Sequence, residues 1–157
     1  MGIVIRKMLP EEYPLLSDFL YEAIFQRDET NLLPRSVIEE PALRIYIEDF
    51  GNKDDDICFC AVSDGKPVGA AWVRNICGYG NIGAQTPELA ISLYKEFRAM
   101  GLGTAMLEAL LEYMKSVGYE KLSLSVQKDN YAVKLYDAVG FRVIDENDEE
   151  FIMVKEL

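Results

Sequence analysis

The chain has 157 residues, half of them hydrophobic, with 16 Lys and Arg against 27 Asp and Glu and a formal net charge of −11. That length suits one compact domain over 1–157 with one core, and no apolar run approaches the roughly 18 residues of a membrane span. The acidic balance makes nucleic acid a poor partner and cationic small molecules or basic peptide ends better ones, while the absence of histidine removes the usual general base and most zinc sites.

Residues 3–8 read as a first strand, and Pro10-Glu11-Glu12 opens a helix to about residue 25 with Leu15, Leu16, Phe19, Leu20, Ala23 and Ile24 on one face. The opening residues have neither a signal-peptide apolar core nor the Ser or Thr that myristoylation needs where Arg6 stands. A loop over 26–36 leads to a second helix expected from 35 or 36 to 50, ending at Gly51-Asn52. Residues 57–63 and 67–74 are apolar runs joined at Asp64-Gly65, a strong hairpin signal. The cysteines, Cys58, Cys60 and Cys77, read as reduced core thiols, which points to the cytoplasm, and a Cys-x-Cys pair without histidine argues against a metal site.

Residues 75–87 read as a glycine-rich loop. Residues 88–93 alternate, with Leu89, Ile91 and Leu93 on one side and Glu88, Ala90 and Ser92 on the other. A helix follows Gly103, with Leu102, Met106, Leu110, Met114 and Val117 at helical spacing and Gly118 as its stop. Residues 121–126 form a strand, 130–139 a short helix before Gly140, and 141–145 and 150–157 two closing strands around an acidic turn. No repeat, low-complexity tract or second domain is visible.

Between the strand at 88–93 and its helix lies Arg98-x-x-Gly101-x-Gly103. A helix N-terminus presents N–H groups without internal partners and the positive end of its dipole. Glycines there let an anion approach the backbone, so a diphosphate can fill the nest. The spacing alone serves equally well for tight helix packing. A Rossmann fingerprint would need glycine at Met106, and a P-loop would need a Gly-Lys-Ser/Thr ending.

This stretch resembles the central motif of the GCN5-related N-acetyltransferase (GNAT) superfamily, Arg/Gln-x-x-Gly-x-Gly/Ala, and residues 87–107 around it resemble that family's fourth strand, pyrophosphate loop and third helix. "LSLSVQKDNYAVKLYDAVGFRVI" resembles the same family's fifth strand, fourth helix and Gly-Phe entry to the sixth strand. The resemblance implies a mixed, mostly antiparallel α/β sheet of about seven strands with about four flanking helices, splayed between strands four and five. It implies acetyl-CoA in that splay and no metal. The pantetheine arm would pair with the backbone of Ile91, Ser92 and Leu93, and the pyrophosphate would sit on Arg98, Gly101, Leu102, Gly103 and Thr104. This chain has Ala99-Met100 where many members carry Gly-Lys, so Lys95, Lys128 or Lys134 would have to compensate. The polar anchor of the second motif is Asn130 or Asp129, with Asn130 preferred because a second anion beside phosphates is unfavourable.

Acetyl transfer from a thioester to an amine needs a base for the amine, a donor for the oxyanion and a proton for the leaving thiolate. By resemblance, Tyr136 is the proton donor, with Tyr131 its alternative, Glu88 is the base through water, and a strand-four N–H at Leu93 stabilises the oxyanion. For each, packing or solvation is the competing role. Tyr21, Phe25, Tyr46, Phe50 and Trp72 are candidates for the acceptor site and equally for the core. The expected acceptor is the amine of a small molecule or peptide end. Protein N-terminal or lysine acetylation and a non-catalytic acyl-CoA-binding module are the alternatives, and a homodimer is compatible with any of them.

Overall fold

A computed structural model describes residues 2–83 and 85–157. Strands β1 (Ile3–Lys7), β2 (Ile57–Ser63), β3 (Lys66–Arg74), β4 (Glu88–Leu93), β5 (Lys121–Gln127), β6 (Arg142–Glu146) and β7 (Glu150–Glu156) form one sheet in the order β1-β2-β3-β4-β5-β7-β6. Helices α1 (Leu16–Ala23), α2 (Pro41–Arg44), α3 (Leu102–Ser116) and α4 (Ala132–Ala138) flank it. The β4–β5 pair is parallel and the others are antiparallel. This is the expected mixed α/β architecture. No helix among the described residues is long and apolar enough to cross a membrane.

The alternation of the central strands divides the core. From β3, Ala71 and Val73 face a layer with Met106, Leu107, Leu110 and Met114 of α3, while Ala70 and Trp72 face the layer with Leu16, Phe19 and Leu20 of α1. The β2–β3 hairpin turns through Asp64 (φ 51°) and Gly65 (φ 79°), the two left-handed residues that a twisted two-residue turn requires. Gly118, at φ 97°, closes α3 as its position suggested.

Two helix expectations need correction, and proline is the reason in both. The stretch expected as one helix over 10–25 is a 3-10 segment, Pro10–Leu15, followed by α1. Pro14 has no N–H to donate to an i−4 carbonyl, so regular α-helix starts only after it. The second helix, expected to reach residue 50, is a 3-10 segment, Arg35–Glu39, and the single turn of α2. Pro41 drives Glu40 into an extended conformation (φ −62°, ψ 134°), which breaks the run. The region 45–56 is instead held by Arg74, whose guanidinium pairs with Asp56 at 2.9 and 3.1 Å and donates to the carbonyls of Ile45 and Glu48. Cys77 also departs from expectation: Cys58 and Cys60 are buried, but Cys77 is exposed.

Candidate active site

Strands β4 and β5 share a single register pair, Glu88 with Ser123, where the Ser123 N–H donates to the Pro87 carbonyl at 3.1 Å. On its other edge β4 is paired with β3 from Glu88 to Leu93. Tyr94 N–H continues that ladder to the Val68 carbonyl at 2.9 Å. Backbone groups alternate along a strand, so the N–H and C=O of Leu89, Ile91 and Leu93 turn toward β5 and those of Ser92 toward β3. Past the shared pair a cleft of about 950 Å³ opens between the two strands. Ser92 Oγ donates to the Phe19 carbonyl at 2.7 Å, which ties α1 to β4 from one side of the sheet.

The loop into α3 has the shape of an anion nest. Ala99 (φ 60°) and Gly101 (φ 80°) are left-handed, and the Ala105 N–H makes the first α3 bond, to the Gly101 carbonyl at 3.1 Å. The N–H groups of Leu102, Gly103 and Thr104 therefore precede the helical ladder. Gly101, Gly103 and Thr104 line the cleft, whereas the Leu102 side chain is buried in the core. A Cβ on Gly103 would lie 3.2 Å from Leu135 Cδ2 and 3.9 Å from Ile91 Cδ1, so a side chain here would crowd the passage between α3, α4 and β4. Arg98 lines the cleft as well. Its Nε donates to the Leu93 carbonyl at 3.1 Å and Nη2 pairs with Glu22 at 3.0 Å.

Glu88 stands where the two strands part, 2% exposed. Its Oε2 accepts from the Tyr46 hydroxyl at 2.8 Å and the Gly80 N–H at 3.0 Å, and Oε1 accepts from the Gly78 N–H at 2.7 Å. Burial raises its pKa above the ordinary carboxylate value, against the lowering effect of these three donors. The Tyr46 oxygen in turn accepts from the Tyr79 N–H at 2.9 Å, and both tyrosines line the cleft. A Cβ at Gly80 would sit 2.7 Å from the Leu124 carbonyl carbon, so the 78–80 loop lies directly on β5.

Across the cleft, Tyr136 of α4 lines its wall and packs edge-on to Phe141, with ring centroids 5.8 Å apart. Burial, with a smaller contribution from Tyr131, raises its hydroxyl pKa well above the ordinary tyrosine value, so it holds its proton at neutral pH. Asn130 also lines the cleft, and its Oδ1 accepts from the Ala132 N–H at 2.9 Å, which starts α4. Tyr131 is exposed at the cleft's rim. Asp129 is turned to Arg27 instead.

The sequence model of the acetyltransferase (GNAT) family matches residues 19–141. The chain belongs to the GNAT family. Among curated proteins, an N-alpha-acetyltransferase of Sulfurisphaera tokodaii is 34% identical over 95 residues, covering 55% of this chain and 56% of that relative. A second N-alpha-acetyltransferase, from Saccharolobus solfataricus, is 33% identical over the same shares. The chain thus spans about half the length of these relatives. Among solved structures, a PaiA N-acetyltransferase of Thermoplasma acidophilum in complex with coenzyme A superposes with a TM-score of 0.72 at 23% identity over all of both chains, a likeness of fold. A GNAT acetyltransferase from Streptococcus pneumoniae gives 0.70 at 25% identity over 99% of this chain and 100% of that one.

In this GNAT chain Tyr21, Phe25 and Tyr46 line the cleft. Phe50 packs on Tyr13, with centroids 4.9 Å apart, and Trp72 is a core residue whose indole N–H donates to the Tyr46 carbonyl at 3.0 Å. Lys95 pairs with Glu29 and Lys128 with Glu146, and of Lys95, Lys128 and Lys134 only Lys95 lines the cleft. The partners of Glu88 escape a reading of the sequence. Gly78 and Gly80, spaced two apart in a loop, are the one local sign of them.

Proposed function

We propose that the chain transfers an acetyl group from acetyl-CoA to the primary amine of a small cationic molecule or a peptide end. The observation that carries this reading is the pairing of two features in one cleft: the β4 edge turned toward β5 at Ile91 and at the Leu93 N–H, and the N–H nest at 101–104. An extended amide-containing arm can pair with the first while a diphosphate fills the second. The nest relies on backbone N–H groups and the partly neutralised Arg98, which fits a chain with Ala99-Met100 at the usual basic position. Asn130 borders the same cleft at the foot of α4.

Acetyl-CoA supplies the activated acyl group as a thioester. Tyr136, protonated and buried, gives its hydroxyl proton to the leaving sulfur. The Leu93 N–H, turned into the split, donates to the carbonyl oxygen as it gains charge. Glu88 takes up the proton of the incoming ammonium. Both its oxygens are occupied by donors, so the proton reaches it through ordered water or the Tyr46 hydroxyl. The cleft wall carries Glu22, Glu29, Glu96, Glu149 and Glu150 against Lys95 and Arg98, and both cations are already paired to two of those glutamates. That excess of negative charge favours a cationic acceptor.

A second reading, the amino terminus of a protein as acceptor, is favoured by the two N-alpha-acetyltransferase relatives. A panel of polyamines, amino-acid amides and short peptides, screened for acetyl-CoA-dependent thiol release, separates the two; release with none of them would refute amine acetylation. Calorimetry with CoA tests the nest. The Gly103→Val variant should stay folded and bind CoA about tenfold more weakly or worse, a change of roughly 1.4 kcal/mol. Equal affinity in that variant would remove Gly103 from the cofactor site.

A further inference from the structure

The sheet is joined across the β4–β5 split by one register pair, yet a second stretch of chain reaches over the opening. Residues 24–34 leave α1 on the β4 side, where Glu29 pairs with Lys95 at 3.1 Å, just past β4. Arg27 crosses to the β5 side. Its guanidinium takes both carboxylate oxygens of Asp129 and donates Nη2 to Gln127 Oε1 at 3.2 Å. On either side of these two attachments Phe25, Gln26 and Leu32 line the cleft, as Glu29 itself does. The stretch also has its own internal order. Leu33 N–H donates to Gln26 Oε1 at 2.7 Å, the Tyr21 hydroxyl donates to the Leu33 carbonyl, and Asp28 Oδ1 accepts from the Thr30 N–H at 3.0 Å. It is a strap with a cation offered to one half of the sheet and an anion to the other.

We propose that Arg27 and Asp129 are positioning residues that staple this strap across the β4–β5 split, so that Phe25, Gln26 and Leu32 form the acceptor-side wall of the cleft. The proposal rests on the reading of the cleft as an acetyl-transfer site and adds the residues that shape its acceptor end. A forked Arg–carboxylate contact fixes orientation as well as distance. Both side chains are 54% exposed, so the contact is weak and sensitive to salt. Weakness suits a wall that must part for an acceptor and close behind it. The strap also accounts for Asp129, which sits in the second motif without lining the cleft.

The test uses the full chain with Arg27→Ala, Asp129→Ala and the double swap Arg27→Asp with Asp129→Arg. Amide hydrogen exchange over 24–34 should run about three- to fivefold faster in each single variant, the range expected for losing an exposed forked pair, and return toward wild type in the swap. CoA affinity should match wild type in all three. With a working amine acceptor, its KM should rise by a similar factor in the single variants and recover in the swap, while kcat changes less. Unchanged exchange in the single variants, or a swap no better than either, overturns the staple. A loosened strap with an unaltered KM overturns its role as the acceptor wall. Weaker CoA binding in Asp129→Ala but not in Arg27→Ala would make Asp129 a cofactor contact instead. If no amine is turned over, the acetyl-transfer reading fails and the exchange data alone decide the staple.

Discussion

Two forked Arg–Asp pairs mark this molecule, one buried beside its split and one exposed across it. Arg74–Asp56 joins β3 to the 45–56 segment with side chains 5% and 0% exposed, and Arg27–Asp129 joins the strap to the β5–α4 turn with both 54% exposed. In the first, further bonds back up the pair: Arg74 also reaches the Ile45 and Glu48 carbonyls, and Asp56 also accepts from the Gly51 and Lys53 N–H groups. The same two residue types therefore do different work. Buried and backed by further hydrogen bonds, the pair specifies one arrangement of an irregular segment. Exposed, it is a contact that thermal motion and salt can break.

The largest expected effect breaks the tight side. Asp56→Ala leaves the Arg74 charge buried without its partner and should cost about 3–5 kcal/mol of stability, read from the denaturation midpoint. The matching Asp129→Ala should cost at most about 1 kcal/mol. Similar losses in the two variants would show that burial does not separate the pairs.

Tyr136→Phe probes the open side. It should lower kcat by about 10²-fold or more, as for loss of a general acid, with little change in KM. The hydroxyl has no hydrogen-bond partner among the described residues, so stability should change little. Turnover equal to wild type would return Tyr136 to its packing role against Phe141.

Glu88 lies at the hinge between the two sides, and its effect should be smaller and dependent on pH. As a base it must be ionised, so kcat/KM falls as pH drops through its pKa. Burial raises that pKa, so the acidic limb should lie above the ordinary carboxylate range. Glu88→Gln should flatten the limb and reduce kcat/KM at neutral pH. A limb that persists in the variant assigns the base elsewhere. Lower stability with an intact limb would leave Glu88 only as the anchor of Gly78 and Gly80.

Elements whose cause is local are legible in the residues themselves. Asp64-Gly65 between two apolar runs favours a left-handed turn, and the periodic apolar face of α3 needs only a sheet to cover it. The nest at 98–104 is readable for the same reason, since glycine spacing acts on the backbone directly. The two helices that read too long are also local matters, because Pro14 and Pro41 override an amphipathic pattern that would otherwise continue.

The sequence by itself determined the strands, the long helix, the hairpin and the glycine loop, because propensity, periodicity and turn chemistry act over a few residues. Only the tertiary structure decided what stands opposite them. Tyr46 meets Glu88 across 42 residues, and Arg27 meets Asp129 across 102. Nothing in the local pattern of either partner encodes the other. The sheet order β4-β5-β7 and the parting of β4 from β5 after one shared pair set those distances. The cleft exists because those two strands separate, and its walls come from side chains that only the folded chain brings together.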